Sequence, residues 1–168
     1  SFSFFRKIFD ERAAEFPDIA ADHAYIDATA LAMVLKPWDF GVLLTENMFG
    51  DILSDLAAGL IGGMGYAPSA DIGNEHAVFQ PAHGSAPDIA GQGKANPTAM
   101  ILSGAMMLEW LGARHDSPAA VKAGSIVRKA VDAAFADGKL VTCEFGGQDG
   151  TKEVAAKILN SIRNQKDE

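Results

Sequence analysis

The stretch FGVLLTENMFGDILSDLAAGL, residues 40–60, decides how this chain is read. Its first part, FGVLLT (40–45), is an apolar run with turn formers nearby, the pattern of a strand buried on both faces, as in a parallel sheet. ENMFGD follows directly, and DILSDLAAGL then carries apolar residues at helical spacing until Gly62 and Gly63 stop it. A buried strand feeding a helix is the grammar of an α/β protein, and in open α/β sheets ligands bind beyond the carboxyl ends of the strands. Asp51 and Asp55 are four residues apart and share one helix face. Spacing alone leaves two readings of the pair. Asp51 is an anion near a helix start with Asp55 solvated, or the two hold Mg²⁺ or Mn²⁺, ions that want hard carboxylate oxygens.

Working outward, Phe4 to Phe16 reads as a first helix ended by Pro17 and Asp18, and His23 to Ile26 as a short strand. Asp27 opens a second helix that stops before Pro37, and taken alone it is an N-cap. Beyond Gly62 the composition turns rich in Gly and Pro, with a strand expected at AVFQ (77–80). This shift places a domain boundary there, giving domains 1–62 and 63–168. Asn96-Pro97 and Ser117-Pro118 are both helix starts. The first of these helices, through AMILSGAMMLEWL, is apolar on most faces, so it should be buried with Met100, Met106 and Met107 in the core. LVTC (140–143) reads as a last strand and Thr151 to Arg163 as a last helix.

A chain of 168 residues can bury a real core. With 48% hydrophobic and 21% charged residues the composition is that of a soluble globular protein. A net charge of −8 without a basic stripe argues against nucleic acid as a partner. No apolar run is long enough for a membrane helix, so no membrane partner is expected, and the first residues lack the features of a signal peptide. A single cysteine, Cys143, fits a reducing compartment, and a cytoplasmic location is expected.

HGSAPDIAGQGKANP, residues 83–97, is the second region dense in chemistry. It combines small residues that let a backbone approach a ligand, turn amides and a helix start that favour phosphate, and one carboxylate, Asp88. A carboxylate can bond both hydroxyls of a ribose and repels a ribose phosphate. A plain surface loop fits the same residues. His83 is either a ligand contact or a satisfied loop histidine, while His23, His76 and His115 have no partner visible in sequence. There is no G-x-G-x-x-G fingerprint and no G-x-S-x-G elbow.

NMFGDILSD, GGMGYAPSADIG and HGSAPDIAGQGKANP with its helix SGAMMLEWLG resemble the isocitrate and isopropylmalate dehydrogenase family. YIDATAL and FGGQDGTKE are similar to two further segments of that family, so the resemblance covers nearly the whole chain. It implies parts of the family's two-domain α/β fold, with residues 1–62 in the dimerisation and substrate domain and 63–168 in the cofactor domain. It also implies oxidation of a 2-hydroxy acid followed by loss of its β-carboxylate, with Mg²⁺ or Mn²⁺ as Lewis acid. By resemblance Asp51 is a metal ligand, Asp55 a ligand or its neighbour, and Asp27 the acid given across a homodimer to the partner's metal. The adenosine-binding loop would comprise His83, Gly84, Ser85, Ala86, Pro87, Asp88, Ile89, Ala95 and Asn96. Asp88 followed by Ile89 is similar to the NAD-preferring pattern; NADP-dependent relatives tend to carry Lys and Tyr.

Two features depart from the family pattern. Gln80 stands where the family usually has Glu, at a position the resemblance places near the nicotinamide. The family's catalytic lysine, tyrosine and substrate-gripping arginines lie upstream of Ser1, so no catalytic residue is assigned in this chain. The chain is expected to be the second half of a longer protein, and inactive alone. GGMGYAPSADIG looks closer to isocitrate and homoisocitrate relatives than to typical isopropylmalate enzymes, and the other motifs extend to tartrate-type members. A non-catalytic regulatory subunit of the family would be expected to have lost its metal carboxylates, and all three acids stand here.

Overall fold

A computed structural model describes residues 2–164. The ends of the two expected domains, Ser1 and residues 165–168, lie outside the described residues. The chain divides into two compact units that meet at Gly50 and Asp51. That division falls inside a continuous helix, ahead of the boundary expected near Gly62.

The first unit holds α1 (Phe2–Ala13), α2 (Ile26–Leu35) and a 3₁₀ turn at Pro37–Asp39. Pro37 halts α2 as expected. Two expected strands do not form. His23 to Ile26 runs into α2 instead, and His23 finds a partner that sequence did not reveal. Its Nε2 lies 2.7 Å from Asp10 Oδ1, and its ring sits beside Phe9 at 5.2 Å. Residues 40–45 are not a buried strand either, for Val42 is 94% exposed and Leu44 64%. A strand is held by ladder bonds to a neighbour, and no described segment of this unit is a strand. The apolar run is therefore left unpaired.

The second unit is built on helices. Thr98–Arg114 forms α4, Pro118–Phe135 forms α5 and Thr151–Asn164 forms α6. Asn47–Leu60, labelled α3, leads into it and ends at Gly62 and Gly63, whose φ angles of 112° and 114° favour glycine. Ala130, Val131 and Ala134 of α5 pack on Val154 and Ile158 of α6, with Ile101 and Leu102 of α4 against them. The expectation that α4 is buried on most faces needs correction. Its buried residues are small ones, Thr98, Ala99, Ser103, Ala105 and Gly112, whereas Met100 and Met107 are exposed and Met106 is half-buried. Ala105 and Gly112 lie where α5 comes close. A β-carbon on Gly124 would lie 2.9 Å from the carbonyl oxygen of Ala105 and 2.6 Å from Glu109 Cγ. Across the same helix pair, Arg128 Nε and Nη2 donate to the two Glu109 carboxylate oxygens at 2.7 and 2.8 Å. The guanidinium holds the Glu109 carboxyl below its ordinary value, mainly through these hydrogen bonds.

The sheet among the described residues is a two-stranded antiparallel hairpin, β1 (Pro68–Ile72) with β2 (Ala77–Pro81), in the register Pro68 to Pro81 and Ile72 to Ala77. β2 was expected and β1 was not. The parallel sheet anticipated from residues 40–45 is thus absent among the described residues, although the chain does mix helix and strand. LVTC supplies only one bridge, Thr142 to Asp149. The hairpin rests on α4, where Ser103 Oγ donates to the Gln80 carbonyl at 2.8 Å and Phe79 meets Trp110 at 5.9 Å. Gln80 also donates its amide to Asp71 Oδ2 at 3.3 Å. A glutamate at position 80 would face that carboxylate with like charge, so Gln80 is matched to its own hairpin.

Candidate functional site

Asp51 and Asp55 lie on α3, and the start of that helix is settled by another residue. The carboxylate of Glu46 accepts hydrogen bonds from the backbone N–H groups of Met48 and Phe49, both at 3.1 Å. Glu46 is the cap, and Asp51 stands a full turn further in. The helix-start reading of Asp51 therefore loses its basis, because α3 begins at Asn47 rather than at Asp51. Both acids are exposed. Neither carboxylate has a hydrogen bond or an ion pair among the described residues. Leu53, on the opposite side of the helix, is buried, as is Ala58 one turn beyond Asp55. The result is two hard oxygen donors, one turn apart, left free by their own fold, a donor set that fits a divalent cation.

Asp27 belongs to the first unit. It lies in the first turn of α2, exposed, and its Oδ1 accepts from the N–H of Ala28 at 2.9 Å. Among the described residues no group of three His, Cys, Asp or Glu side chains is arranged to hold a metal. A complete ligand set within one chain is not what the resemblance implies, since it assigns Asp27 to a partner's metal.

The loop from His83 to Asn96 divides into a free part and an anchored part. Gly84, Ser85, Ala86, Pro87 and Asp88 are exposed, and Ile89 is half-buried. The backbone N–H groups of Gly84, Ser85 and Ala86 make no hydrogen bond among the described residues, and a β-carbon on Gly84 would meet nothing within 4 Å. Pro87–Ile89 is a single 3₁₀ turn with Asp88 in it. Gln92 Nε2 donates to the Asp88 carbonyl at 2.8 Å, which leaves the Asp88 carboxylate unengaged. His83 Nδ1 lies 2.9 Å from the Gly84 carbonyl oxygen. Free amides beside a free carboxylate can meet a phosphate and a sugar diol.

The anchored part begins at Gly91 and Gly93, with φ angles of 75° and 68°. The Gly93 carbonyl accepts from Thr151 N–H at 2.8 Å, and the Ala95 carbonyl accepts from Thr151 Oγ1. Asn96 is buried, and its Oδ1 accepts from the N–H and the hydroxyl of Thr98 at 3.0 and 2.6 Å. Pro97 rather than Asn96 takes the N-cap position, one residue later than expected, and Asn96 bonds Thr98 from just ahead of it, so its side chain is committed to the fold. Its Nδ2 donates to Glu144 Oε1 at 2.9 Å. Sequence reading missed Glu144 and Thr151 because they lie far along the chain from the loop.

Comparison with known proteins shows the family. The sequence profile of the isocitrate/isopropylmalate dehydrogenase family matches residues 1–158. The 3-isopropylmalate dehydrogenase of Methanothermobacter thermautotrophicus is 47% identical over 94% of this chain and 46% of its own length. The homoisocitrate dehydrogenase of Methanocaldococcus jannaschii is 46% identical over 95% of this chain and 43% of its own length. In structure, isocitrate dehydrogenase from Methylococcus capsulatus superposes with a TM-score of 0.84 at 47% identity, over 96% of this chain and 46% of that one. The chain belongs to the isocitrate/isopropylmalate dehydrogenase family. It has the fold of part of such a dehydrogenase and spans about half the length of the curated relatives it matches.

Proposed function

We propose that the complete protein oxidises a 2-hydroxy acid of the 3-isopropylmalate type with NAD and removes its β-carboxylate, using Mg²⁺ or Mn²⁺. The observation that carries this reading is the pair Asp51 and Asp55, one turn apart, exposed, without a cation of their own and clear of the helix cap that Glu46 provides. A divalent ion bound there would serve as Lewis acid to the substrate's hydroxyl and carboxylate oxygens. The chain's own part is to hold two anionic donors at fixed spacing on a rigid helix. Asp88 would accept hydrogen bonds from both ribose hydroxyls of NAD, and the free amides of Gly84 to Ala86 would face its phosphates. Retention of all three acids favours a catalytic subunit over a regulatory one. Homoisocitrate, isocitrate and tartrate are the alternative substrates.

Asp27 would complete the neighbour's metal site in a homodimer. Subunit mixing tests this. Asp27→Asn and Asp51→Asn variants of the complete protein are each expected to be nearly inactive. A hybrid dimer keeps one shared site intact, so random re-pairing restores about a quarter of wild-type activity. Absence of any recovery in verified hybrids would mean that Asp27 does not act across the interface. Among the described residues no helix is long and apolar enough to cross a membrane, and a cytoplasmic place for the protein accords with its single cysteine.

A further inference from the structure

Three segments distant in sequence converge where the loop meets α4. Asn96 closes the loop. Glu144 lies in a 3₁₀ turn, Cys143–Phe145, ended by Gly146 at a φ of 78°. Gly65 lies in another, Met64–Tyr66. Glu144 Oε1 accepts from Asn96 Nδ2 at 2.9 Å. A β-carbon on Gly65 would come within 2.9 Å of both Glu144 carboxylate oxygens and 3.1 Å of Asn96 Cβ, so a side chain at position 65 would press directly on this contact. The turn that carries Glu144 is itself tied down. Tyr66 Oη lies 3.3 Å from Thr142 Oγ1, Val141 N–H donates to Asp149 Oδ2 at 2.7 Å, and Gly147 N–H donates to the Thr142 carbonyl at 3.0 Å.

From this we infer that Glu144 is a positioning residue for the dinucleotide loop. It holds the Asn96 amide group, and Asn96 fixes the point at which residues 83–95 turn into α4. Asn96 has its Oδ1 already shared between the two Thr98 donors. Its rotamer is therefore set on one side by α4 and on the other by Glu144. Glu144 is exposed, and without it the Nδ2 of the buried Asn96 loses the acceptor that holds it on that side. The anchored part of the loop then loosens while the free part, with Asp88, keeps its own residues. The consequence is a poorer affinity for the cofactor rather than a slower chemical step, since a loop that must be ordered on binding lowers affinity.

This inference rests on the assignment of the loop to NAD, and the test separates the two. In the complete protein, Glu144→Ala is expected to raise the KM for NAD about tenfold, with a much smaller change in kcat. Glu144→Gln keeps an acceptor oxygen for Asn96 and should return the KM to within about twofold of wild type. Asn96→Ala should raise the KM as well, and the double variant Asn96→Ala with Glu144→Ala should be no worse than the worse single one, because the two act through one bond. A KM for NAD unchanged by Glu144→Ala, or additive losses in the double variant, would overturn the positioning role. A Glu144→Gln variant as impaired as Glu144→Ala would overturn it too, since charge rather than the bond to Asn96 would then matter. Failure of the wild-type protein to bind NAD at all would instead remove the loop assignment.

Discussion

At limiting Mn²⁺, Asp51→Asn in the complete protein is expected to lower turnover at least about a hundredfold, because residues that merely orient a ligand already cost about 10–100-fold when changed. The substitution is isosteric and removes the charge. It should leave the fold alone for a reason visible in the helix. Asp51 is exposed, its carboxylate bonds to nothing among the described residues, and the start of α3 is capped by Glu46. Its thermal midpoint should therefore stay near that of wild type, and excess Mn²⁺ should recover part of the loss. Asp55→Asn should follow the same direction with a smaller effect. Unchanged turnover of Asp51→Asn at limiting Mn²⁺ would remove Asp51 from the metal site.

The second large effect is expected at Asp88. Asp88→Ala should raise the KM for NAD by about 10–100-fold, the worth of charge-assisted hydrogen bonds to a diol. NADP should suffer much less or gain, because the carboxylate that binds two hydroxyls also repels a 2′-phosphate. The side chain is exposed and unengaged, and Gln92 holds the turn through the Asp88 carbonyl, not through the carboxylate. The loop therefore keeps its backbone anchor when the side chain is cut back. A ratio of NAD to NADP efficiency that does not move would mean that Asp88 does not read the ribose.

The helices were legible in the sequence because their signals are local. Pro37 stops α2, Gly62 and Gly63 stop α3, and Asn96-Pro97 and Ser117-Pro118 open α4 and α5 within a residue or two of the expected positions. Strands fared worse, since their existence depends on partners elsewhere in the chain. FGVLLT has the composition of a buried strand, yet no described strand of its unit pairs with it, while PSADI, with weak strand character, is recruited as β1 by its neighbour β2. The methionines of α4 misled for a related reason. Periodicity marks an apolar helix but not which side meets α5, and the small residues won that side.

The four-residue spacing of Asp51 and Asp55 was enough to place them on one helix face, while the metal role proposed for them came from the motif. What the sequence could not separate was a helix-start anion from a free carboxylate, because that depended on Glu46 being the cap. The exposed part of the loop from His83 to Asn96 could be read from its small residues and from Asp88. Its anchor was not, since the bond from Asn96 to Glu144 joins residues 48 positions apart and leaves no local trace.

The most direct test of the central claim is an assay of the complete protein with NAD and Mn²⁺ against 3-isopropylmalate, homoisocitrate, isocitrate and tartrate, following NADH and CO₂ together. One of these acids should yield the two products in equal amounts, and a chelator should abolish both until Mn²⁺ is restored. Turnover indifferent to the chelator, or no turnover of any of the four acids with the metal present, would contradict the account.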